Sequence, residues 1–143
     1  MQLSKRSEYA LRTLLVMSRH STSQIHTLQE LSKAEGIPPK FLEQILAQLK
    51  KAGVLHSRRG SQGGYSLARP PSRIMVGEIL ELIEGTRMFA PAERGAISQQ
   101  RNVAILRSFQ LELEKEIYEL IYHRSLEDLL KLDPHRAVMN FEI

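Results

Sequence analysis

The sequence predicts a mainly α-helical fold with one small β-hairpin, and three stretches of the chain support this prediction. In residues 38–51, apolar side chains recur every three or four positions, which places them on one side of a helix. In residues 54–68, two short apolar runs flank a basic, glycine-rich turn, as is typical of a hairpin. In residues 99–123, the helical period returns over a longer run. A helix followed closely by a basic hairpin is the plan of a winged helix-turn-helix domain, which the long helix extends on the C-terminal side.

The first of these helices has an inward apolar side and an outward polar side. Pro38 fits its start, because the first residues of a helix need no backbone N–H donor. The predicted inward residues are Phe41, Leu42, Ile45, Leu46 and Leu49. Lys40, Glu43 and Gln44 face outward near its start and suit base edges and phosphates in a DNA major groove. The alternative role for Glu43 is an exposed ion pair with Lys40 or Lys50.

Two helices are predicted before this one. The first covers residues 4–20. The second begins after Thr27, because Thr27 and Glu30 have the spacing of a capping box. Gly36 ends it and leaves only a short turn before the next helix, which is the helix-turn-helix arrangement.

The strands of the hairpin are predicted at residues 54–57 and 65–68. The turn between them carries Arg58 and Arg59 followed by three glycines, and glycine permits close approach to a DNA backbone. The alternatives are a solvated turn for Arg59 and a phosphate-cradling nucleotide loop, but the pattern G-x-x-x-x-G-K-[ST] is absent. A short amphipathic helix is predicted next, at residues 75–84.

The helix predicted at residues 99–123 is longer than its own domain can cover, at roughly 37 Å for about 25 residues. A heptad-like stripe along it consists of Val103, Leu106, Gln110, Leu113, Ile117 and Leu120, widened by Ile105, Phe109 and Ile121. We expect this stripe to be buried against a second copy of the chain in a homodimer. The alternative is that the helix folds back on its own domain. Ser125 and Asp128 predict one more short helix, and residues 133–143 are predicted to be a tail.

Charge divides the chain into a basic and an acidic half. The net charge is +4, but residues 1–73 carry 12 Lys and Arg against 4 Asp and Glu, while residues 74–143 carry 8 against 12. The basic half indicates a polyanion such as DNA as partner, and chance clustering on a solvated surface is the alternative. No apolar run approaches the roughly 20 residues of a membrane span. The N-terminal stretch also lacks a signal-peptide cleavage site, so we expect a cytoplasmic protein.

Four stretches of the chain carry a family resemblance. They are LSKRSEYALRTLLVMS, IPPKFLEQILAQLKKAGVL, SRRGSQGGYSLARP and MVGEILELIEG. They resemble the Rrf-two family of bacterial transcription regulators, closely over residues 1–85 and more loosely to about residue 132. The resemblance implies a homodimeric, sequence-specific DNA-binding regulator, with repression as the expected role, whose winged helix domains are held by crossed C-terminal helices.

The same resemblance implies a set of DNA contacts. The major-groove contacts fall on Pro38, Lys40, Glu43 and Gln44, and the wing contact to the minor groove falls on Arg59 with Gly60. Positive charge predicts that Lys50, Lys51 and Arg58, together with Lys40, mainly meet phosphates. Lys40 replaces a small hydroxyl residue that is common in the family, so the preferred DNA sequence is expected to differ.

The chain departs from the cluster-binding members of that family. Those members place three cysteines in the stretch that corresponds to residues 86–103, which includes the family's sensor region, the loop at residues 86–98. This chain contains no cysteine, and its five histidines are scattered, so we predict no iron–sulfur cluster, no metal site and no other cofactor. Glu8 stands where some members supply a further ligand, and we expect it to pair with Arg12 instead. The apolar residues of the loop are Met88, Phe89 and Ile97. They either pin the loop to the core or line a pocket for an unidentified effector.

A protein-interaction module is the alternative function. In it, a winged helix that no longer binds DNA would dock an enzyme or another regulator through the acidic half of the chain. The basic wing argues against this alternative. An enzyme is not predicted, because the sequence shows no nucleophile–base set, no carboxylate pair in a recognisable frame and no cofactor loop.

Overall fold

A computed structural model of the chain describes residues 2–85 and 95–139. It is mainly helical with one antiparallel two-stranded hairpin, which confirms the predicted fold class. The elements are, in chain order, α1 (Lys5–Ser18), α2 (Leu28–Glu35), α3 (Pro39–Lys51), β1 (Leu55–Arg58), β2 (Gly64–Leu67), a 3-10 turn (Pro71–Arg73), α4 (Val76–Glu84), α5 (Arg101–Tyr122), α6 (Leu126–Leu130) and α7 (Pro134–Met139). The predicted helices and strands are present, and their ends shift by no more than two residues.

Local capping explains where the first helices begin. The Ser4 hydroxyl oxygen accepts a hydrogen bond from the Ser7 backbone N–H at 3.1 Å and caps α1. The predicted capping box of α2 is present, since Thr27 and Glu30 each accept from the other's backbone N–H at 3.1 Å. Gly36 ends α2 in the left-handed conformation, with φ +65°. The chain therefore turns within three residues into α3, as the helix-turn-helix prediction requires.

One hydrophobic core joins α1 to α4 with the hairpin. Its buried side chains come from each of these elements, and α6 adds Leu126. In contrast, α5 contributes no buried residue. Among the described residues, the C-terminal part of α5 is the part that meets the domain, where Ile121 packs against the core and Tyr122 lies against α4. Within the described residues, the core of the winged helix therefore forms without most of α5, while the C-terminal end of α5 does fold back on its own domain.

His26 fastens the wing to the helical domain. Its backbone N–H donates to the Tyr65 carbonyl oxygen and its carbonyl oxygen accepts from the Tyr65 N–H, both at 2.8 Å. Gly64 permits this approach, because a Cβ there would lie 2.4 Å from the His26 carbonyl oxygen. The His26 side chain is 5% exposed, and its Nε2 has no hydrogen-bond partner among the described residues. Burial lowers the pKa of His26, nearby His20 lowers it further, and Glu30 opposes them.

Replacing His26 by Phe is expected to weaken the acid dependence of stability. Because the pKa of His26 is lowered in the folded chain, the unfolded chain binds more protons once the pH falls below the ordinary value of 6.5. The free energy of unfolding of the wild type should therefore be highest above that value and fall as the pH drops toward the lowered pKa. Urea unfolding between about pH 8 and pH 5 measures this slope.

The matched control for that experiment is His56→Phe, at an exposed position of β1. It should keep the wild-type slope, whereas His26→Phe should flatten it. If the two variants show the same slope as the wild type, His26 is not the group that makes the fold acid-sensitive.

The segment predicted as a tail contains the helix α7. Asp133 provides its start, because its Oδ1 accepts from the His135 N–H at 2.9 Å, and Pro134 occupies the first turn. The predicted helix after Ser125 is present, with the capping box formed by Ser125 and Asp128. Residues 134–139 of the predicted tail are therefore helical, and the tail boundary at residue 133 stays a prediction.

The predicted sensor loop lies partly outside the described residues. Met88 and Phe89 fall in that part, whereas Ile97 is described and is 88% exposed. Ile97 therefore does not pin the loop to the core of its own chain. None of the helices in residues 2–85 and 95–139 is both long and apolar enough to cross a membrane.

Candidate nucleic-acid interface

The outward side of α3 is a continuous exposed face. The predicted contact residues on it are Lys40, Glu43, Gln44, Lys50 and Lys51, all of them exposed, as is Pro38 at the N-cap. At 100° per residue, the five within the helix fall in an arc of about 120°. The opposite side carries the buried residues Leu42, Ile45, Leu46 and Leu49, as predicted, with Phe41 half-buried. The packing of α3 therefore leaves one polar face open to a ligand.

Hydrogen bonds from two other helices fix α3 in the domain. Gln48 is half-buried, its Oε1 accepts from Arg6 Nη2 at 3.0 Å, and its Nε2 donates to the Leu82 carbonyl oxygen at 2.9 Å. The Arg6 guanidinium also lies 5.9 Å from the centre of the Phe41 ring. These contacts tie α3 to both α1 and α4. They do not involve the residues predicted to meet DNA.

Arg12 holds the turn between α2 and α3. Its Nη2 donates to the Glu35 carbonyl oxygen at 2.5 Å, and its Nε donates to the Glu35 carboxylate at 3.4 Å. The predicted ion pair between Arg12 and Glu8 is also present, at 3.5 Å. Partly exposed ion pairs contribute little free energy each. Their effect here is to orient the end of α2, and with it the start of α3.

Two glycines shape the tip of the wing. Gly60 has φ +107°, in the left-handed region that favours glycine, and its carbonyl oxygen accepts from the Gly63 N–H at 3.0 Å. A Cβ at Gly63 would lie 2.1 Å from the Arg58 carbonyl oxygen, so the turn has no room for a side chain there. Arg58, Arg59 and Gly60 remain exposed. The turn joins two strands of a hairpin rather than a strand and a helix, so a nucleotide-binding loop does not fit.

A cleft of about 450 Å³ connects the wing with α2 and α3. Its walls include Lys50, Arg58, Arg59, Gly60 and residues 27–29 at the start of α2. The sequence predicted the cations of this cleft but missed the start of α2, because a capping box marks where a helix begins and not what it faces. Backbone N–H groups at a helix start and side-chain cations both attract anions. The cleft thus has the charge to receive a phosphate of a DNA backbone.

The cations predicted to contact DNA are not neutralised within the described part of the chain. They are Lys40, Lys50, Lys51, Arg58 and Arg59, none of which has an acidic partner there. Glu43 also forms no ion pair in those residues, so the alternative role of partner to Lys40 or Lys50 is not observed. Exposed cations without an internal partner keep their full attraction for phosphates.

The stripe of α5 that was predicted to form a dimer is open in the single chain. Val103, Leu106, Leu113 and Leu120 are between 47% and 64% exposed, and Gln110 is exposed beside them. Ile117 is half-buried. Ile121 packs against the core, so it belongs to the side of α5 that faces the domain and not to the stripe. Near its C-terminal end, α5 thus carries two adjoining apolar sides, the open stripe and the side that faces the domain.

Fold and surface together define the class of protein. A helix-turn-helix with a basic wing beside its second helix is the architecture of a winged-helix DNA-binding transcription regulator. The chain belongs to the Rrf2 (Rrf-two) family, whose description is iron-dependent transcriptional regulator and whose match covers residues 3–132. Its function is therefore that of a DNA-binding transcription regulator and not that of an enzyme.

Individual relatives agree with this assignment. The chain is 33% identical over 136 residues to the HTH-type transcriptional regulator IscR of Cereibacter sphaeroides, over 92% of this chain and 88% of that one. It is 31% identical over 134 residues to the protein rrf2 of Nitratidesulfovibrio vulgaris, again over 92% of this chain and 88% of that one. Among solved structures, T. potens IscR superposes with a TM-score of 0.75 at 29% identity, over 95% of this chain and 90% of that one. CymR, the global cysteine regulator of B. subtilis, shares the fold with a TM-score of 0.77 at 23% identity, over 92% of this chain and 98% of that one.

The family description mentions iron, and the residues of this chain do not fit a cysteine-held cluster. The chain has no cysteine to supply a thiolate. Among the described residues, no group of three or more His, Asp or Glu side chains is placed to hold a metal ion. Glu8, which the family resemblance had singled out, pairs with Arg12 at 3.5 Å, as predicted, and with Lys5 at 3.6 Å.

Proposed function

We propose that the protein is a homodimeric repressor that binds a two-fold DNA operator and carries no iron–sulfur cluster. Residues 1–85 are proposed as the DNA-binding domain, residues 86–98 as the sensor loop and residues 99–132 as the dimerisation region. Repression is proposed because it needs only occupancy of a promoter, whereas activation needs a further surface that contacts the polymerase. The protein would act in the cytoplasm, and an effector or partner protein would supply the signal in place of a cluster.

The open polar face of α3 is the observation that carries this proposal. A helix with this face fits the major groove, where Gln44 can bond the N6 and N7 edge of adenine and Glu43 can accept from cytosine N4. Pro38 and Lys40 lie at the start of the helix, where the proposed contacts begin. The hydrogen bonds of Gln48 support the proposal, because they hold the helix without using any of these side chains.

The wing and the cleft supply the second part of the proposed interface. Arg59, beside Gly60 at the tip, suits a narrow A·T-rich minor groove, whose negative potential attracts arginine. Lys50, Lys51 and Arg58 are proposed to meet phosphates, which fix position without reading sequence. The absence of internal ion pairs for these cations within the described residues supports this assignment.

The open stripe of α5 supports the homodimer. Apolar side chains spaced along about 25 Å of exposed helix are unusual on a monomer, and a second copy offers the same stripe in return. A two-fold dimer places two recognition helices on the same face of DNA. Its operator should therefore be a near-palindrome whose half-sites lie about one helical turn, or a small multiple of it, apart.

Selection from a library of random duplexes tests the proposed function. The purified protein should enrich a near-palindromic sequence with A·T-rich flanks, and a footprint on genomic DNA should cover the same sequence. Enrichment of a single unrepeated half-site would contradict the two-fold dimer. If no duplex is enriched and none binds at low salt, DNA binding has been lost and the protein-interaction module is favoured instead.

A further inference from the structure

We propose that the joint between α4 and the end of α5 determines which spacing of DNA half-sites the dimer accepts. Gly77, Glu81 and Tyr122 form this joint, and none of them is a predicted DNA contact. The inference rests on the proposed function, since it assumes a dimer that binds two half-sites at once. In this proposal the three residues do not touch DNA but position the recognition helices, and so determine specificity for half-site spacing.

The ring of Tyr122 lies directly on the backbone of α4. A Cβ at Gly77 would be 2.7 Å from Cγ and 2.8 Å from Cδ2 of Tyr122, which is closer than side-chain atoms come, so the contact requires glycine. The Tyr122 hydroxyl donates to Glu81 Oε2 at 2.5 Å, about one turn further along α4. On its own helix, the ring stacks on Tyr118 with centroids 4.4 Å apart. The position of the Tyr122 ring is therefore fixed by its packing on Gly77 and by the hydrogen bond to Glu81.

Backbone hydrogen bonds fasten the chain just after α5 to the start of α4. The Val76 N–H donates to the Arg124 carbonyl oxygen at 2.8 Å, and the Leu126 N–H donates to the Ile74 carbonyl oxygen at 2.9 Å. Leu126 itself is fully buried in the core. The C-terminal end of α5 thus has both a fixed position and a fixed direction relative to α4.

The recognition helix is tied to the same element. Gln48 of α3 donates to the Leu82 carbonyl oxygen of α4, and Ile79 of α4 is fully buried in the core that α3 shares. Because α4 is joined to α3 on one side and to Tyr122 on the other, the direction of α5 relative to α4 is also its direction relative to α3. In a dimer formed along α5, this angle sets how far apart the two recognition helices lie.

The length of α5 turns small changes at the joint into large displacements. The 22 residues of α5 span about 33 Å. A rotation of about 10° at the joint moves a point about 30 Å away by about 5 Å, which exceeds the rise of about 3.4 Å per base pair. A rotation of this size is therefore enough to change which spacing both recognition helices can engage together.

A spacing series tests the proposal. Starting from the sequence that the wild type selects, duplexes are built in which the half-sites are moved apart or together one base pair at a time. A duplex with a single half-site is the reference, and sedimentation gives the oligomeric state. The proteins compared are the wild type, Gly77→Ala and Tyr122→Phe. The matched control is Tyr118→Phe, which keeps the stacked ring and loses a hydroxyl that makes no hydrogen bond in the described part of the chain.

The wild type should prefer one spacing by about tenfold over its neighbours, the equivalent of losing one good base contact. Gly77→Ala should move the preferred spacing by at least one base pair, because its Cβ must displace the Tyr122 ring. Tyr122→Phe should reduce the preference to about threefold or less, since the bond to Glu81 is gone. Affinity for the single half-site and the dimer mass should stay at wild-type values in both variants, and Tyr118→Phe should match the wild type throughout.

An unchanged spacing preference in Gly77→Ala and Tyr122→Phe would overturn the proposal, and so would a wild type that binds all spacings equally. Equal losses on single and paired half-sites would assign the joint an ordinary structural role, which also overturns it. If Gly77→Ala does not fold, Tyr122→Phe alone decides. A wild type that binds no duplex contradicts the proposed function itself, which distinguishes that failure from failure of the joint.

Discussion

Replacing Leu106 and Leu113 by Asp is expected to give a folded monomer. Both side chains lie on the open stripe of α5, 64% and 49% exposed, so the change removes nothing from the core of the single chain. In the proposed dimer each chain buries at most the 64% of Leu106 and the 49% of Leu113 that the single chain leaves exposed, where full burial of a leucine is worth about 1.5–3 kcal/mol. Over two chains the apolar loss is therefore roughly 3–7 kcal/mol, about two to five orders of magnitude in the dissociation constant of the dimer. Burial of the new carboxylates adds to this cost.

Sedimentation equilibrium and circular dichroism check this expectation together, the first for mass and the second for helix content. The matched control is Ser108→Asp with Lys115→Gln, which alters charge by the same two units at exposed positions on the other side of α5. The control should remain a dimer. A dimeric, folded Leu106→Asp, Leu113→Asp variant would place the interface elsewhere, and dissociation of the control would assign the effect to charge rather than to the stripe.

The starts of helices were predictable because their signals are local. Thr27 and Glu30 at the start of α2 need only each other, and the same holds for Ser125 and Asp128 at the start of α6. The start of α7 carries a local signal as well, in the Asp-Pro pair that begins at Asp133, although no helix was predicted there. Capping rests on residues a few positions apart, so it does not depend on the tertiary fold.

Contacts between distant parts of the chain were not predictable in the same way. Gly77 sits inside an amphipathic helix, and nothing in its neighbourhood of the sequence indicates that the Tyr122 ring packs on it. Gln48 is polar and lies on a helix with an exposed face, yet it is half-buried between Arg6 and Leu82. Periodicity assigns a residue to a side of a helix, whereas its neighbours there are set by how the helices pack.

The two sides of α5 show the same limit. Ile117 and Ile121 both fit the apolar period of the sequence, but Ile121 is used by the domain and Ile117 lies between the domain and the open stripe. If α5 had a single apolar side, the sequence alone would have assigned Ile117 and Ile121 to it. Here the sequence predicted a helix with more apolar surface than its own domain covers, and the structure assigns its C-terminal part to the domain.

Replacing Gln44 by Ala is expected to remove discrimination at one base pair in each half-site. Gln44 is exposed in the middle of the polar face of α3 and supports no contact of the core, so the fold should be unaffected. Loss of a bidentate contact to a base costs about 1–3 kcal/mol on the correct sequence. In a two-fold dimer the loss occurs in both half-sites, so operator affinity should fall by about two orders of magnitude or more. Affinity for a scrambled duplex should change little, because phosphates supply most of it.

The affinities of Lys51→Ala and Arg59→Ala are compared with that of Gln44→Ala on operator and scrambled duplexes at several salt concentrations. Lys51 lies in the last turn of the same helix, and its loss should weaken both duplexes alike and lower the salt slope by about one per site. Arg59→Ala should lose affinity mainly for duplexes with an A·T-rich flanking minor groove, because the attraction of an arginine to the minor groove depends on the width of that groove. Equal losses on both duplexes for Gln44→Ala would remove α3 from sequence recognition and leave discrimination to the wing. A normal operator preference in Arg59→Ala would remove the wing from sequence recognition and leave discrimination to α3. The two results together therefore assign specificity to α3, to the wing or to both.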